Sequence, residues 1–281
     1  MRHESRRQPL QRGKSLGALA YGNDVRGLWE HRQVLRMMVL RELQRRYSGF
    51  RLGYVWTLLE PLGMTFVLWL VFSLVLGKNR LGTDPYFLFI AVAILPWWWF
   101  THGVAACARV FNRGTPWLRT STLPTNIWVM RAVLVSMAEF LLSLPVVLIA
   151  MLVTWKLPSP LIVLFPVAIA FQLWFMYGLG LLVSAASAVI RDLERIIRIG
   201  LRTMFYLSPV LYSIANIPEH VRPFAALNPL VAIFGLYRVG FWPAETESIG
   251  LFLVALSVCV VIVLAGMITF RRLLPRILKE A

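Results

Sequence analysis

A chain of 281 residues that is 58% hydrophobic and only 15% charged, with a mean hydropathy of +0.68, is too apolar for a water-soluble domain. Its formal net charge of +16 needs no nucleic-acid partner, because basic residues flanking apolar blocks are what a membrane protein keeps on one side of the bilayer. The two cysteines, Cys107 and Cys259, both fall inside apolar stretches, which argues against a disulfide framework or a thiolate metal site.

Residues 1–27 read as a flexible, basic cytoplasmic tail suited to anionic lipid. Within it, Ser5-Arg6-Arg7-Gln8-Pro9-Leu10 resembles a twin-arginine signal but lacks a following apolar core. Gly13-Lys14-Ser15 has the ending of a phosphate-binding loop, yet Gln8 stands where its first glycine is required. From Leu28 to Tyr47, Trp29, Leu35, Val39 and Leu43 alternate with Arg32, Arg36, Arg41, Arg45 and Arg46. Such a segment is too charged to span and predicts a helix in the cytoplasmic interface, although Glu42 falls on its apolar side. Gly49 and Gly53 then permit a sharp turn.

Six apolar stretches follow, Tyr54–Gly77, Pro85–Ala108, Ile127–Thr154, Leu161–Val189, Ile196–Ser213 and Ile249–Phe270, matching helices across a hydrocarbon core about 30 Å thick. They do not alternate as barrel strands do, and a backbone in lipid must satisfy its own hydrogen bonds. The predicted fold is therefore an all-α integral membrane protein over 28–275: six transmembrane helices behind an N-terminal interfacial helix. With the N-terminus inside, cytoplasmic segments carry 24 of the 29 Lys and Arg residues, which sets both termini, including the 271–281 tail, in the cytoplasm.

Between the spans, the segment from Arg109 to Asn126 is too polar for lipid, and Pro116 and Pro124 predict a broken cytoplasmic helix there. Ala215 to Ser248 is rich in proline yet apolar, which predicts re-entrant or interfacial helices between the fifth and sixth spans. Trp97, Trp98, Trp99 and Phe100 lie near the middle of the second span, where tryptophan is unusual; they pack the bundle or line a passage that stacks on sugars. Glu139 is an acid inside the third span and hence a functional candidate, without a second group at relay spacing for proton coupling. Arg191, Arg195, Arg198 and Arg202 follow an i, i+4, i+7, i+11 spacing, so on one helix they fall within about 60° and form a stripe about 16 Å long. That stripe snorkels to lipid phosphate, docks a partner subunit, or captures a diphosphate through its guanidinium forks.

Arg41-Glu42-Leu43 with Arg46-Tyr47, then Leu52-Gly53-Tyr54, Trp56 and Glu60-Pro61, begin an ordered set of short motifs. Pro96-Trp97 through Phe100, Asn112, Leu123-Pro124, Arg191-Asp192, Leu207-Ser208-Pro209-Val210 with Tyr212, and Leu227-Asn228-Pro229 continue it. The set resembles the ABC-2-type permeases that export O-antigen, teichoic acid, capsule and galactan. The resemblance implies a homodimer in the bacterial cytoplasmic membrane, each chain docked to a separate ATP-binding subunit that holds ATP and Mg²⁺. This chain then binds no cofactor and is not an enzyme. A polyprenyl-diphosphate-linked glycan is the implied cargo, with Tyr206 and Tyr212 joining the tryptophans in the channel. Asn112, Arg113, Trp117, Arg119, Leu123 and Pro124 are the implied contacts to the ATP-binding subunit. A drug or lipid exporter of the same superfamily is the alternative. An enzyme acting on lipid diphosphates fits poorly, since Asp192 and Glu194 have no neighbours to hold a metal.

Overall fold

The computed structural model describes residues 25–48, 53–75, 84–111, 123–190, 192–243 and 248–280, and among them no residue is in a strand. The amphipathic N-terminal segment forms α1 (Val25–Glu30) and α2 (Arg32–Tyr47). Gly53, at φ +44°, takes the left-handed turn that leads into α3 (Trp56–Val75). Then come α4 (Tyr86–Ala108), α5 (Asn126–Ser143) and α6 (Pro145–Thr154). The last two are one apolar stretch broken where Pro145 cannot donate to the preceding turn. A 3₁₀ turn (Pro160–Leu164) opens α7 (Phe165–Val189), followed by α8 (Leu193–Leu207). Short α9 (Arg222–Ala225) and α10 (Pro229–Arg238) precede the long α11 (Ile249–Glu280). Asn228 caps α10, its side chain accepting from the Leu230 amide at 3.0 Å, and Pro229 sits where no amide donor is needed.

Five helical stretches are long and apolar enough to cross a bilayer: Gly53–Leu74, Tyr86–Ala108, Asn126–Thr154, Pro160–Val189 and Ile249–Ile277. The expected span over Ile196–Ser213 is not among them. Its helix, α8, has 15 residues, about 22 Å at 1.5 Å each, and Arg195, Arg198 and Arg202 are exposed on it. It stops because Ser208 precedes Pro209 and is extended, at ψ 149°. The expected re-entrant region contains α9 and α10 as short helices. At the C-terminus the helix continues past Phe270 to Glu280, so most of the expected tail is an extension of the last span. The tail before residue 25, Gly49, Arg191 and the loop residues Asn112, Arg113, Trp117 and Arg119 lie outside the described residues.

Helix α4 is the hub. Its residues from Leu88 to Leu95 are all essentially inaccessible, because α3, α5, α6, α7, α8 and α10 all pack on it. The buried Gln172 amide of α7 donates to the Pro96 carbonyl of α4 at 2.8 Å, a polar cross-link in an apolar interior. The most extensive pair is α7 with α11. There Gly178 leaves room for Val263, whose side chain would lie 2.6 Å from an added Cβ, and Gly266 lies directly over the Gly178 carbonyl. Without a hydrophobic drive between helices in lipid, such small residues let backbones gain dispersion contact.

Gly266→Val should therefore lower the thermal unfolding midpoint in detergent, with a cost on the order of 1–3 kcal/mol. Gly200, with nothing within 4 Å of an added Cβ, is the control: Gly200→Ala should be neutral or stabilising by up to about 1 kcal/mol. Equal midpoints for both variants would refute the close-packing account.

Candidate functional site

Two ends of the bundle are defined by contacts. At one, Arg109 after α4 meets the Glu194 carboxylate of α8 at 3.8 Å. At the other, Trp242 donates to the Asp84 carbonyl at 3.2 Å and the Ser159 amide donates to the Gly240 carbonyl at 2.7 Å. Helix α8 starts at the first end, while Leu211, four residues after it, accepts from the Tyr86 hydroxyl at 2.9 Å near the second.

Helix α8 is sharply two-faced. Ile197, Leu201, Met204 and Phe205 pack against the core, whereas Arg195, Arg198, Arg202 and Tyr206 face outward. None of these three arginines has an ion-pair partner among the described residues. The expected stripe thus exists over three of its four members. Tyr206, 72% exposed, continues it, and its carbonyl accepts from the Tyr212 hydroxyl at 3.3 Å.

The tryptophan run divides by direction, since successive helical residues point about 100° apart. Trp97 is 5% exposed and lies against Phe205 at 5.4 Å. Trp99 stacks on Phe140 at 5.1 Å, and Phe100 on Phe175 at 6.3 Å. These three rings are engaged inside the chain. Trp98 alone is partly open, its ring 6.0 Å from that of His102. Glu139 is held from a distance in sequence: it accepts from Arg46 at 2.8 Å and from the Tyr47 hydroxyl at 3.3 Å. Burial, and then the Glu139 charge, push the Tyr47 phenol well above its ordinary value. On the same helix, burial pushes the Glu42 carboxyl up, but Arg45, Arg131 and Arg46 outweigh it and leave it below the usual range. Of the implied partner contacts, Leu123 and Pro124 are described, at the entry to α5. Among the described residues no three His, Cys, Asp or Glu side chains gather as metal ligands.

The residue that sequence reasoning missed is Arg238. It is one of the five basic residues outside the expected cytoplasmic segments, and it is buried. Its guanidinium donates to the carbonyls of Pro209, Val210 (2.8 Å) and Tyr212 (3.4 Å) and sits 3.5 Å over the Phe89 ring. The available signal was an arginine closing the apolar run Pro229–Tyr237. The Asn228 amide completes the junction, donating to the Ser208 hydroxyl at 2.9 Å. Arg238 thus satisfies carbonyls of the non-helical segment that follows α8, and the Asn228 amide also reaches the Leu207 carbonyl at the helix end, at 3.4 Å.

These features define a multi-pass helical membrane protein with a basic, uncovered face on one short helix. The ABC-2 type transporter family model matches residues 33–242, and the chain belongs to that family. It is 34% identical to the O-antigen export system permease protein RfbA of Myxococcus xanthus, over 78% of this chain and 84% of that one. A protein of the same name from Klebsiella pneumoniae is 27% identical, over 73% and 78%. The polysialic acid transport protein KpsM of Escherichia coli is 24% identical, over 73% and 80%.

Replacing Arg238 with Leu should strip donors from buried carbonyls, at about 1–3 kcal/mol for each one left unpaired. The expected outcome is a large fall in folded yield and thermal midpoint. Arg238→Lys should recover only part of it, since an ammonium lacks the planar fork. A wild-type midpoint for Arg238→Leu would remove the clamp from the account.

Proposed function

We infer that this chain is the membrane-spanning permease subunit of an ATP-driven exporter of polysaccharide. The observation that carries the reading is that relatives matching about three-quarters of the chain are named as O-antigen export system permeases and as a polysialic acid transport protein; this favours a glycan over a drug or simple lipid. The chain sits in the bacterial cytoplasmic membrane with the Arg109–Glu194 end in the cytoplasm, as the arginine bias favours. Helix α8 and the Ser208–Tyr212 segment make the sixth crossing, which returns the C-terminus to the side of the N-terminus. ATP and Mg²⁺ belong to a separate ATP-binding subunit, which docks on the Leu123–Pro124 entry to α5 and the loop before it.

The basic face of α8 is costly in lipid, because an arginine facing hydrocarbon at depth is unfavourable. It fits a polar passage shared with a second copy of the chain, with Tyr206 and Tyr212 beyond the arginines. In that passage Arg195, Arg198 and Arg202 receive the diphosphate of a polyprenyl-linked glycan, each guanidinium pairing two phosphate oxygens. Snorkelling to lipid phosphate is the competing account, supported by the same exposure.

Replacing Arg198 and Arg202 together by Lys preserves charge and removes the fork. Glycan export should fall at least about tenfold, the loss of roughly one charge-assisted hydrogen bond, with the amount of assembled complex unchanged. Export at the wild-type level would instead favour snorkelling. For orientation, Leu157→Cys in a background lacking Cys107 and Cys259 should react with an impermeant thiol reagent added to intact cells, and Gln44→Cys should not. The reverse pattern would invert the topology.

A further inference from the structure

A groove of about 450 Å³ opens between α3, the entry to α4 and the end of α6. On α3 it is lined by Phe66, Trp69 and Ser73, whose i, i+3, i+7 spacing puts them on one side of the helix. Ile149 and Val153 of α6 face them, and Phe87 closes the wall, its ring perpendicular to that of Trp69 at 6.1 Å. Phe66, Ile149 and Val153 are exposed, yet they lie in segments long and apolar enough to cross the bilayer. Their groove therefore meets hydrocarbon or another chain rather than bulk water.

One group is out of keeping with those walls. The Asp84 carboxylate stands at the α4 end of the groove, and among the described residues it has neither a hydrogen bond nor an ion pair. Its backbone is anchored, because the Asp84 carbonyl accepts from Trp242 at 3.2 Å. The neighbouring hydroxyls are committed elsewhere: Tyr86 donates to the Leu211 carbonyl at 2.9 Å and Thr154 to the Ala150 carbonyl at 2.6 Å. An occupant suited to this place has an apolar chain and a cationic end.

A lipid tail gains little by leaving the bilayer for walls that are no more apolar than other tails, so selection falls on the head group. The Asp84 carboxylate repels a head that is net negative, and a diphosphate more strongly. A head ending in a primary ammonium is attracted and can donate to both carboxylate oxygens. Lys156, two residues beyond Thr154, also lacks an ion pair among the described residues and supplies a counter-charge for the phosphate of such a lipid. The net charge of +16 draws acidic lipid to the chain as a whole, so the opposite preference is specific to this groove. We propose that the groove is a phospholipid site, holding an acyl chain against Phe66, Trp69 and Phe87 and the ammonium of a zwitterionic head on Asp84. The occupant is a lipid of the surrounding membrane, not cargo, so the proposal is independent of the glycan-export reading.

The test reconstitutes the full chain in phosphatidylcholine vesicles doped with phosphatidylethanolamine or, in parallel, phosphatidylglycerol, each bearing the same photoreactive acyl chain. After illumination the labelled residues are mapped. The ethanolamine lipid should label Phe66, Trp69 or Val153 about threefold more than the glycerol lipid, the worth of an exposed ion pair. Asp84→Asn should abolish that preference and Asp84→Glu should keep it. Ser73→Trp, which fills the groove, should cut labelling there by both lipids while leaving Leu264 of α11, an exposed residue, labelled as before. Equal labelling of the wild-type groove by the two lipids, or a preference that survives Asp84→Asn, overturns the proposal. Labelling of Leu264 without any in the groove would show that a protein chain covers it, which overturns the proposal as well.

Discussion

A carbonyl inside a membrane protein has no water to fall back on, and the buried guanidinium of Arg238 answers that constraint at the break after α8. Where α8 ends, Pro209 prevents the helix from continuing, and three nearby carbonyls accept from this one side chain. Because Arg238 also lies on Phe89 of α4, the same contact ties α10 and the end of α8 to the hub helix. An arginine suits the position since its donors form a fixed fork and its flat face can rest on a ring.

With that junction fixed, the chain separates into a firm interior and lightly held edges. In α4, 78% of the most apolar window is buried, against 11% in α3, so α3 is lipid-facing or partner-facing along most of its length. Polar side chains were placed accordingly. Gln172 and Arg238 cross-link buried backbone, whereas the α8 arginines and Glu60 remain open at surfaces where a ligand or a second chain can reach them.

Most spans were legible because length and apolarity are local properties: the stretches expected at 85–108 and 127–154 agree to within a residue with Tyr86–Ala108 and Asn126–Thr154. The stripe on α8 was legible for the same reason, as helical spacing alone puts Arg195, Arg198 and Arg202 on one side. What sequence left hidden depended on distant partners. Glu139 looked like a lone intramembrane acid because Arg46 lies 93 positions away. Spacing required the tryptophans to diverge but could not say which pointed at Phe140, Phe205 or open space. Arg238 was unreadable as a clamp, since its acceptors belong to a segment that precedes it by 26 to 29 positions.

The length of α11 has a practical consequence. Its 32 residues extend about 48 Å, well beyond a hydrocarbon core of about 30 Å, and Gly178 and Gly266 seat it backbone to backbone on α7. A fluorophore or spin label placed near Arg272, ahead of Pro275, would therefore ride on a helix joined to the bundle interior. Its tilt would report how that interior reorients during turnover, which a label on a slack tail could not do.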